Sequence, residues 1–286
     1  MKKKTRIILI LSAVFLCLFL PGFRSSLHVA SYTVIGENIS TPVRIALVTD
    51  LHSCAYGSGQ RALLDAIDQQ APDLVLLGGD FFDDRLPDDN AIAFLEGIRG
   101  KYPCYYVTGN HEYWSGAEAF AKKMEILREY GVIRLSGETD SLEIGGTRLN
   151  VCGVDDPCAW ADGTDGCREQ AARAAALAQN GGFTVLLAHR PELLDVYSRF
   201  GFNLVLAGHT HGGQWRIPGL FNGLYAPDQG LFPPYAGGRY EKDGVVMIVS
   251  RGLARESTRI PRFYNRPELV VVDLTGEADA QACPGA

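Results

Sequence analysis

The chain has 286 residues, 47% of them apolar, which is enough to bury a sizeable core and excludes a chain disordered throughout. Its formal charge is −6, and removing the four cations of the first six residues leaves about −10 on the remainder. A surface that acidic excludes the non-specific nucleic-acid binding that Lys and Arg provide by neutralising phosphates.

The N-terminus stands apart. Lys2, Lys3, Lys4 and Arg6 precede an apolar run over residues 7–20, broken only by Ser12, the layout of a signal sequence or an anchor. A cleavage site is hard to place, because Ala30 would need a small residue at position 28, where His28 stands. The run is short of the about 20 apolar residues that cross a bilayer, but Phe23 and the snorkelling basic flank extend it. Residues 1–23 are therefore expected to be an uncleaved membrane anchor, with a secreted protein as the outcome if they are cleaved. The positive-inside rule places the rest outside the cytoplasm. Residues 24–39 read as a linker followed by a first strand, one domain spans 40–275, and 276–286 form a frayed tail.

From Val43 onward, short apolar runs alternate with helical patterns, the mark of an α/β architecture. Helical spacing joins Leu63, Leu64 and Ile67, then Ile92, Leu95 and Ile98, then Phe120, Met124 and Leu127. For the third helix, Ser115 and Glu118 predict a capping box and Gly131 a stop. Gly145-Gly146 between 141–144 and 147–151 predicts a β-hairpin. After a loop over 155–166, the Ala-rich stretch 168–178 predicts a helix, and Pro191 opens another through Leu193 and Leu194. Seven cysteines are present. Cys17 lies in the apolar run; Cys158 with Cys167 or Cys152 is a conceivable disulfide in an oxidising location. No C-x-x-C spacing occurs, so a cysteine zinc site is not expected.

Five apolar runs share one feature. The runs 43–48, 74–77, 105–107, 184–188 and 204–207 lead within three residues to Asp50, Asp80, Asn110, His189 and His209. Open α/β sheets build their sites at that edge. Asp50-Leu51-His52 sets a carboxylate and an imidazole two residues apart, and His209-Thr210-His211 repeats the spacing with two imidazoles. Seven candidate ligands, Asp50, His52, Asp80, Asn110, His189, His209 and His211, are too many for one tetrahedral ion but suit two ions. Mixed oxygen and nitrogen donors favour Mn, Fe or Zn over Ca or Mg. Two divalent ions against two carboxylates leave about +2, suited to an anionic phosphate. A single such histidine is usually structural, but five of the six histidines fall in these motifs.

Asp50-Leu-His52, Gly79-Asp80-Phe-Phe-Asp83, Gly109-Asn110-His111-Glu112, His189 and Gly208-His209-Thr210-His211 resemble, in order and spacing, the five motifs of the calcineurin-like metallophosphoesterases. The stretch from Val249-Ser-Arg-Gly252 to Arg266-Pro267-Glu268 resembles the C-terminal part of bacterial membrane-associated members. The resemblance implies a four-layer α/β/β/α sandwich of two mixed sheets, with the metals at the C-terminal ends of the strands. It further implies one metal on Asp50, His52 and His211, another on Asn110, His189 and His209, and Asp80 bridging. His111 would serve as the general acid or transition-state stabiliser, and Asp83 would orient a ligand. The implied reaction is hydrolysis of a phosphodiester or pyrophosphate by a hydroxide that the metal pair activates. Similar membrane-associated proteins include UDP-diacylglucosamine pyrophosphatases, and with the anchor they suggest a cell-envelope or lipid-linked substrate. One departure is Ala254 in Gly252-Leu253-Ala254, where similar proteins often carry a second Gly.

Some residues have rival readings. Asp83 and Asp84 equally suit a solvated acidic turn with Asp88 and Asp89, and Glu112 reads as a loop residue. Residues 212–244, with eight Gly, four Pro and six aromatics, form a long loop of the kind that often carries function. Trp215, Tyr225, Phe232 and Tyr235, with Tyr113 and Trp114, either wall an apolar groove or pack the loop onto the sheet. Arg216, Arg251 and Arg255 are candidate contacts for a second phosphate or a headgroup. The rival to an enzyme is a tethered scaffold that keeps the fold without catalysis, a reading weakened by the complete ligand set.

Overall fold

The computed structural model describes residues 11–277 except 14, 15, 18, 162 and 259. The first strands are β1 (His28–Ile35), β2 (Val43–Val48), β3 (Leu74–Gly78), β4 (Cys104–Val107) and β5 (Ile133–Arg134). They are followed by β6 (Thr139–Ile144), β7 (Thr147–Gly153), β8 (Phe183–Leu187) and β9 (Leu204–Ala207). A small hairpin, β10 (Tyr225–Ala226) and β11 (Gly230–Leu231), precedes β12 (Gly238–Lys242), β13 (Val245–Val249) and β14 (Glu268–Thr275). One sheet has the order β1-β14-β2-β3-β4-β5 and the other β12-β13-β9-β8-β7-β6. Both are mixed. β2 through β5 run parallel with β14 antiparallel to β2, while β7, β8, β9 and β13 run parallel with antiparallel β6 and β12 at the edges.

Alternation along the central strands builds three apolar layers. Ile45, Leu47 and Leu76 face Val185, Leu187 and Leu206 between the sheets. Their neighbours Ala46, Val48, Val75 and Leu77 face outward, packing with Leu63, Ile67, Phe94 and Leu127 of the helices Arg61–Gln70, Asp89–Ile98 and Ala117–Glu129. Across the second sheet, Leu186 and Val205 pack with Ala171 and Ala174 of the helix Thr164–Leu177. The result is helices, sheet, sheet, helices, as the resemblance implied. The expected hairpin forms as β6–β7, with Gly145 and Gly146 both at positive φ (57° and 89°), the left-handed pair that a type I′ turn needs.

Several expectations change. The first strand expected after the linker forms at residues 28–35, but it pairs in parallel register with β14 along its whole length, so the sheet begins before the expected domain bound at residue 40. The capping box does not form: Gly116 takes the N-cap, and Ser115 Oγ instead donates to the Glu112 carbonyl at 2.6 Å. The loop expected over 155–166 already contains the start of the helix at Thr164. The long segment 212–244 contains the β10–β11 hairpin and the edge strand β12. No disulfide joins the described cysteines; Cys152 and Cys167 are buried free thiols and Cys158 is exposed. The expected anchor and the tail fall largely outside the described residues, among which no helix is long and apolar enough to cross a membrane.

Candidate metal centre

The five motifs meet where the parallel strands end. The loops that follow β2, β3 and β9 are held in a conformation non-glycine residues rarely adopt: Asp50, His52, Asp80, His209 and His211 have φ of 52°, 46°, 48°, 70° and 48°. Such strain persists only when surrounding bonds over-determine it. Here Asp50 N–H donates to the Gly79 carbonyl (3.0 Å) and His52 N–H to the Asp80 carbonyl (2.9 Å), locking the first two loops together. His209 N–H donates to both carboxylate oxygens of Asp50 (2.9 and 3.2 Å), which ties in the third. The motif glycines follow from this crowding. A Cβ on Gly109 would lie 2.2 Å from Asp80 Oδ1, and one on Gly208 would lie 2.5 Å from Asp50 Oδ2.

Ligand atoms of Asp50, His52, Asp80 and His211 lie within 4.8 Å of one another, as do those of Asp80, His189 and His209. Asp80 belongs to both groups. Its Oδ2 is 3.5 Å from His52 Nε2 and 3.3 Å from His189 Nε2, and His189 Nε2 is 3.2 Å from His209 Nδ1. Asn110 is set beside the same carboxylate by its neighbours, since Gly109 packs on Asp80 and His111 N–H donates to Asp80 Oδ1 at 2.9 Å.

Three buried polar atoms here have no hydrogen-bond partner: His52 Nε2, His211 Nδ1 and Asn110 Oδ1. Orphaned polar atoms cost about 1–3 kcal/mol each, so their concentration among seven oxygen and nitrogen donors fits residues that hold cations. The other nitrogen of three imidazoles is already engaged. His52 Nδ1 pairs with Asp83 Oδ1 (3.1 Å), His189 Nδ1 with the Gly78 carbonyl (2.9 Å), and His209 Nε2 with Asp228 Oδ2 (3.0 Å). Partners of this kind fix which nitrogen faces the centre. Burial opposes ionisation of Asp83, but the bond from His52 and the N–H groups of Leu86 and Arg85 bring its carboxyl down to about 2. Asp83 is buried beside His52 and Asp84 pairs with His111, so the solvated acidic turn does not form.

His111 is partly exposed at the opening. Its Nδ1 lies 2.7 Å from Asp84 Oδ1, which makes Nδ1 the protonated nitrogen of that pair and leaves Nε2 uncommitted. Its ring meets His52 edge-on at 4.4 Å and Trp114 at 4.7 Å. Burial lowers its pKa from the ordinary histidine value.

Glu112 corrects the sequence reading. Far from a loop residue, it is fully buried and accepts four backbone N–H groups, from Asp80 (3.1 Å), Phe81 (2.8 Å), Phe82 (3.1 Å) and Gly109 (2.8 Å). Burial and then the Asp80 charge push its carboxyl up to about 7. It clamps the loop after β3 onto the loop after β4. Sequence reasoning also missed Arg190, whose guanidinium is held by Asp156 and Asp228 and lies 2.9 Å from His209 Nε2. Adjacency to His189 was the available signal. The three candidate arginines go elsewhere: Arg216 bonds Asn222, Arg251 pairs with Glu268 at 3.4 Å, and Arg255 reaches the Ala55 carbonyl and lies over Tyr56. Of the six aromatics, only Trp215 and Tyr225 line a cleft beside His211. Tyr235 packs on Tyr240, and Tyr113 on Phe120.

A two-sheet sandwich with such a donor set at its strand ends defines a class of metal-dependent hydrolase, and comparison with known proteins makes it specific. The profile of the calcineurin-like phosphoesterases matches residues 43–213, and the chain belongs to that family, whose members hydrolyse phosphoric esters with bound metal, typically two ions. It is 27% identical to the metallophosphoesterase Cj0846 of Campylobacter jejuni, over 95% of this chain and 71% of that protein. It is 30% identical to the phosphodiesterase YaeI of Escherichia coli, over 66% of this chain and 67% of that one. Among solved structures it is similar to the NAD nucleotidase NadN of Haemophilus influenzae, with a TM-score of 0.51 and 19% identity over 74% of this chain. The chain spans 45% of that nucleotidase, so this likeness concerns the fold alone.

Proposed function

We propose that the protein hydrolyses a phosphodiester or pyrophosphate bond on a cell-envelope or lipid-linked substrate, tethered to the membrane by its N-terminal segment with the catalytic domain outside the cytoplasm. Asp50, His52 and His211 would hold one ion and Asn110, His189 and His209 the other, with Asp80 common to both donor groups. The observation that carries this reading is the membership of Asp80 in both donor groups. Two bound divalent cations, Mn, Fe or Zn by donor chemistry, supply Lewis acidity that activates water near neutral pH and offsets phosphoryl charge.

The chain's own residues do the rest. Asp83, the Gly78 carbonyl and Asp228 hold three imidazoles with one nitrogen turned to the centre, so the cage is formed before substrate arrives. Glu112 and the His111 N–H fix the shared carboxylate from its backbone and its Oδ1. His111, oriented by Asp84, keeps Nε2 free of protein partners at the opening, where the doubly protonated ring would donate from Nε2 to the leaving oxygen and hand it that proton. The N-terminal cations and apolar run support the tether, and the phosphodiesterase YaeI supports a diester over a monoester.

The decisive variant is Asp80→Asn. It should lower bound metal below one ion per chain by elemental analysis and cut turnover of an aryl phosphodiester by roughly a thousandfold. Unchanged metal content and turnover would end this reading. Protease added to intact spheroplasts should degrade the domain if it lies outside the cytoplasm, and full protection would reverse the topology.

A further inference from the structure

A cleft of about 490 Å³ adjoins the metal centre, and its walls include His211, Trp215, Leu224, Tyr225, Pro227 and Ile260. His211 also belongs to the donor group around Asp50, so the cleft begins where the chemistry is placed. The surface its walls expose is mostly apolar, although Thr210, Gln214 and Thr258 also line it, and no Asp, Glu, Lys or Arg does. That favours an apolar group over a sugar, which needs several convergent polar partners. The indole of Trp215 is fixed in place, with Nε1 donating to the Pro261 carbonyl at 2.9 Å.

The surroundings extend this apolar character outward. Leu231, paired with Tyr225, and Phe232, whose N–H donates to the Leu224 carbonyl, are exposed beside the cleft residues, as is Ile260 of its wall, and exposed apolar side chains so placed mark an interaction surface. The end of the N-terminal apolar run reaches this side of the molecule. Tyr264 N–H donates to the Gly22 carbonyl at 2.6 Å. The Phe263 ring lies 5.3 Å from Phe19, 5.0 Å from Phe23 and 5.6 Å from Trp215. The run that would enter a bilayer therefore leaves the domain next to the residue that walls the cleft.

We infer that this cleft is the subsite for an alkyl chain of the substrate, presented by a phosphate-bearing lipid of the bilayer in which the N-terminal segment sits. The inference rests on the phosphoesterase reading above and adds to it what lies beside the scissile phosphate. A lipid lifted only partly from the bilayer keeps its chain covered by Trp215, Leu224 and Tyr225 while its phosphate reaches the centre. The exposed apolar rim then replaces water around the part of the chain still in transit.

The test uses the full-length, Mn-loaded protein held in amphipol and a series of p-nitrophenyl alkyl phosphodiesters from methyl to octyl. The expected result is a kcat/KM that rises about tenfold or more along the series, with the change mainly in KM. Leu224→Glu should bring the octyl-to-methyl ratio towards one. Partition of longer esters into the amphipol is common to wild type and variant, so the change in ratio isolates the cleft. A flat series for the wild type, or a ratio that Leu224→Glu leaves intact in a protein of unchanged melting temperature, overturns the subsite while leaving the phosphoesterase reading standing. Failure to hydrolyse any member of the series would instead count against that reading.

Discussion

Two neighbouring regions of this molecule are built on opposite principles. The rim formed by the ends of β2, β3, β4, β8 and β9 is polar, buried and strained, with five of its side chains on left-handed backbone. The segment that follows His211 is apolar and exposed: Leu220 retains 75% of its accessible surface and Leu231 68%. The rim holds its geometry because each loop is bonded to another, as where Glu112 gathers four N–H groups. The later segment is held by hydrogen bonds within itself and to residues 260–265, such as Trp215 to the Pro261 carbonyl and Arg216 to the Asn222 carbonyl. Chemistry that needs fixed donors sits on the first kind of structure, and recognition of a flexible apolar group on the second.

Gly252 tests how over-determined the rim is, and the largest further effect is expected there. It lies after β13, far in sequence from the motifs, yet a Cβ added to it would sit 2.7 Å from Asp50 Cβ, at a φ of 69°. Gly252→Ala must push Asp50 away from His209 N–H and from the ligand group of His52 and His211. A displacement of about 1 Å can cost roughly a hundredfold in rate, and metal content should fall with it. Gly131→Ala is the control, because that glycine also has positive φ (78°) but nothing within 4 Å of a new Cβ. It should cost about 1 kcal/mol in thermal unfolding and leave turnover alone. If Gly252→Ala keeps its metal and its rate, the rim is more compliant than its backbone implies.

The same contrast explains how much was legible in the amino-acid sequence. The α/β class and the gathering of polar side chains at the strand ends were readable because strand, turn and polar side chain lie within a few residues: Val43–Val48 delivers Asp50, and Leu204–Ala207 delivers His209. Glu112 was not readable as a clamp, because its acceptor role depends on N–H groups of residues 80–82, thirty positions away. Ser115 and Glu118 satisfied a capping pattern, but the chain puts Gly116 at the cap and spends the Ser115 hydroxyl on Glu112. The conceivable pairing of Cys158 with Cys167 or Cys152 failed for a similar reason. Burial of Cys152 on β7 and of Cys167 on the helix that packs over it is a property of packing, which spacing does not report. The aromatics of 212–244 were recognisable as a group, but only the fold separates Trp215 and Tyr225, on the cleft, from Tyr235, which packs half-buried against the second sheet's core.

Asp228 is where the two regions touch, and its removal should give the smallest of these effects. It lies in the turn between β10 and β11, more than half exposed, and reaches back to His209 Nε2 and the Arg190 guanidinium. The hydrogen bond from His209, followed by the Arg190 charge, holds its carboxyl down to about 2. Asp228→Asn keeps the shape, and its φ of 58° suits Asn as well as Asp. What it removes is the charge that orients His209, so affinity for the ion proposed to bind at His189 and His209 should fall about tenfold, the lower end for such partners, read by chelator competition. The sign of the pH dependence separates causes. A group with a depressed pKa is ionised throughout the range above its unfolded value, and its contribution is lost only as pH falls towards the folded pKa. The deficit of Asp228→Asn should therefore be constant from roughly pH 5 to 9. A deficit that grows or vanishes around neutrality would show that Asp228 does not act as a fixed charge, and would mean that the exposed segment rests on the rim without tuning it.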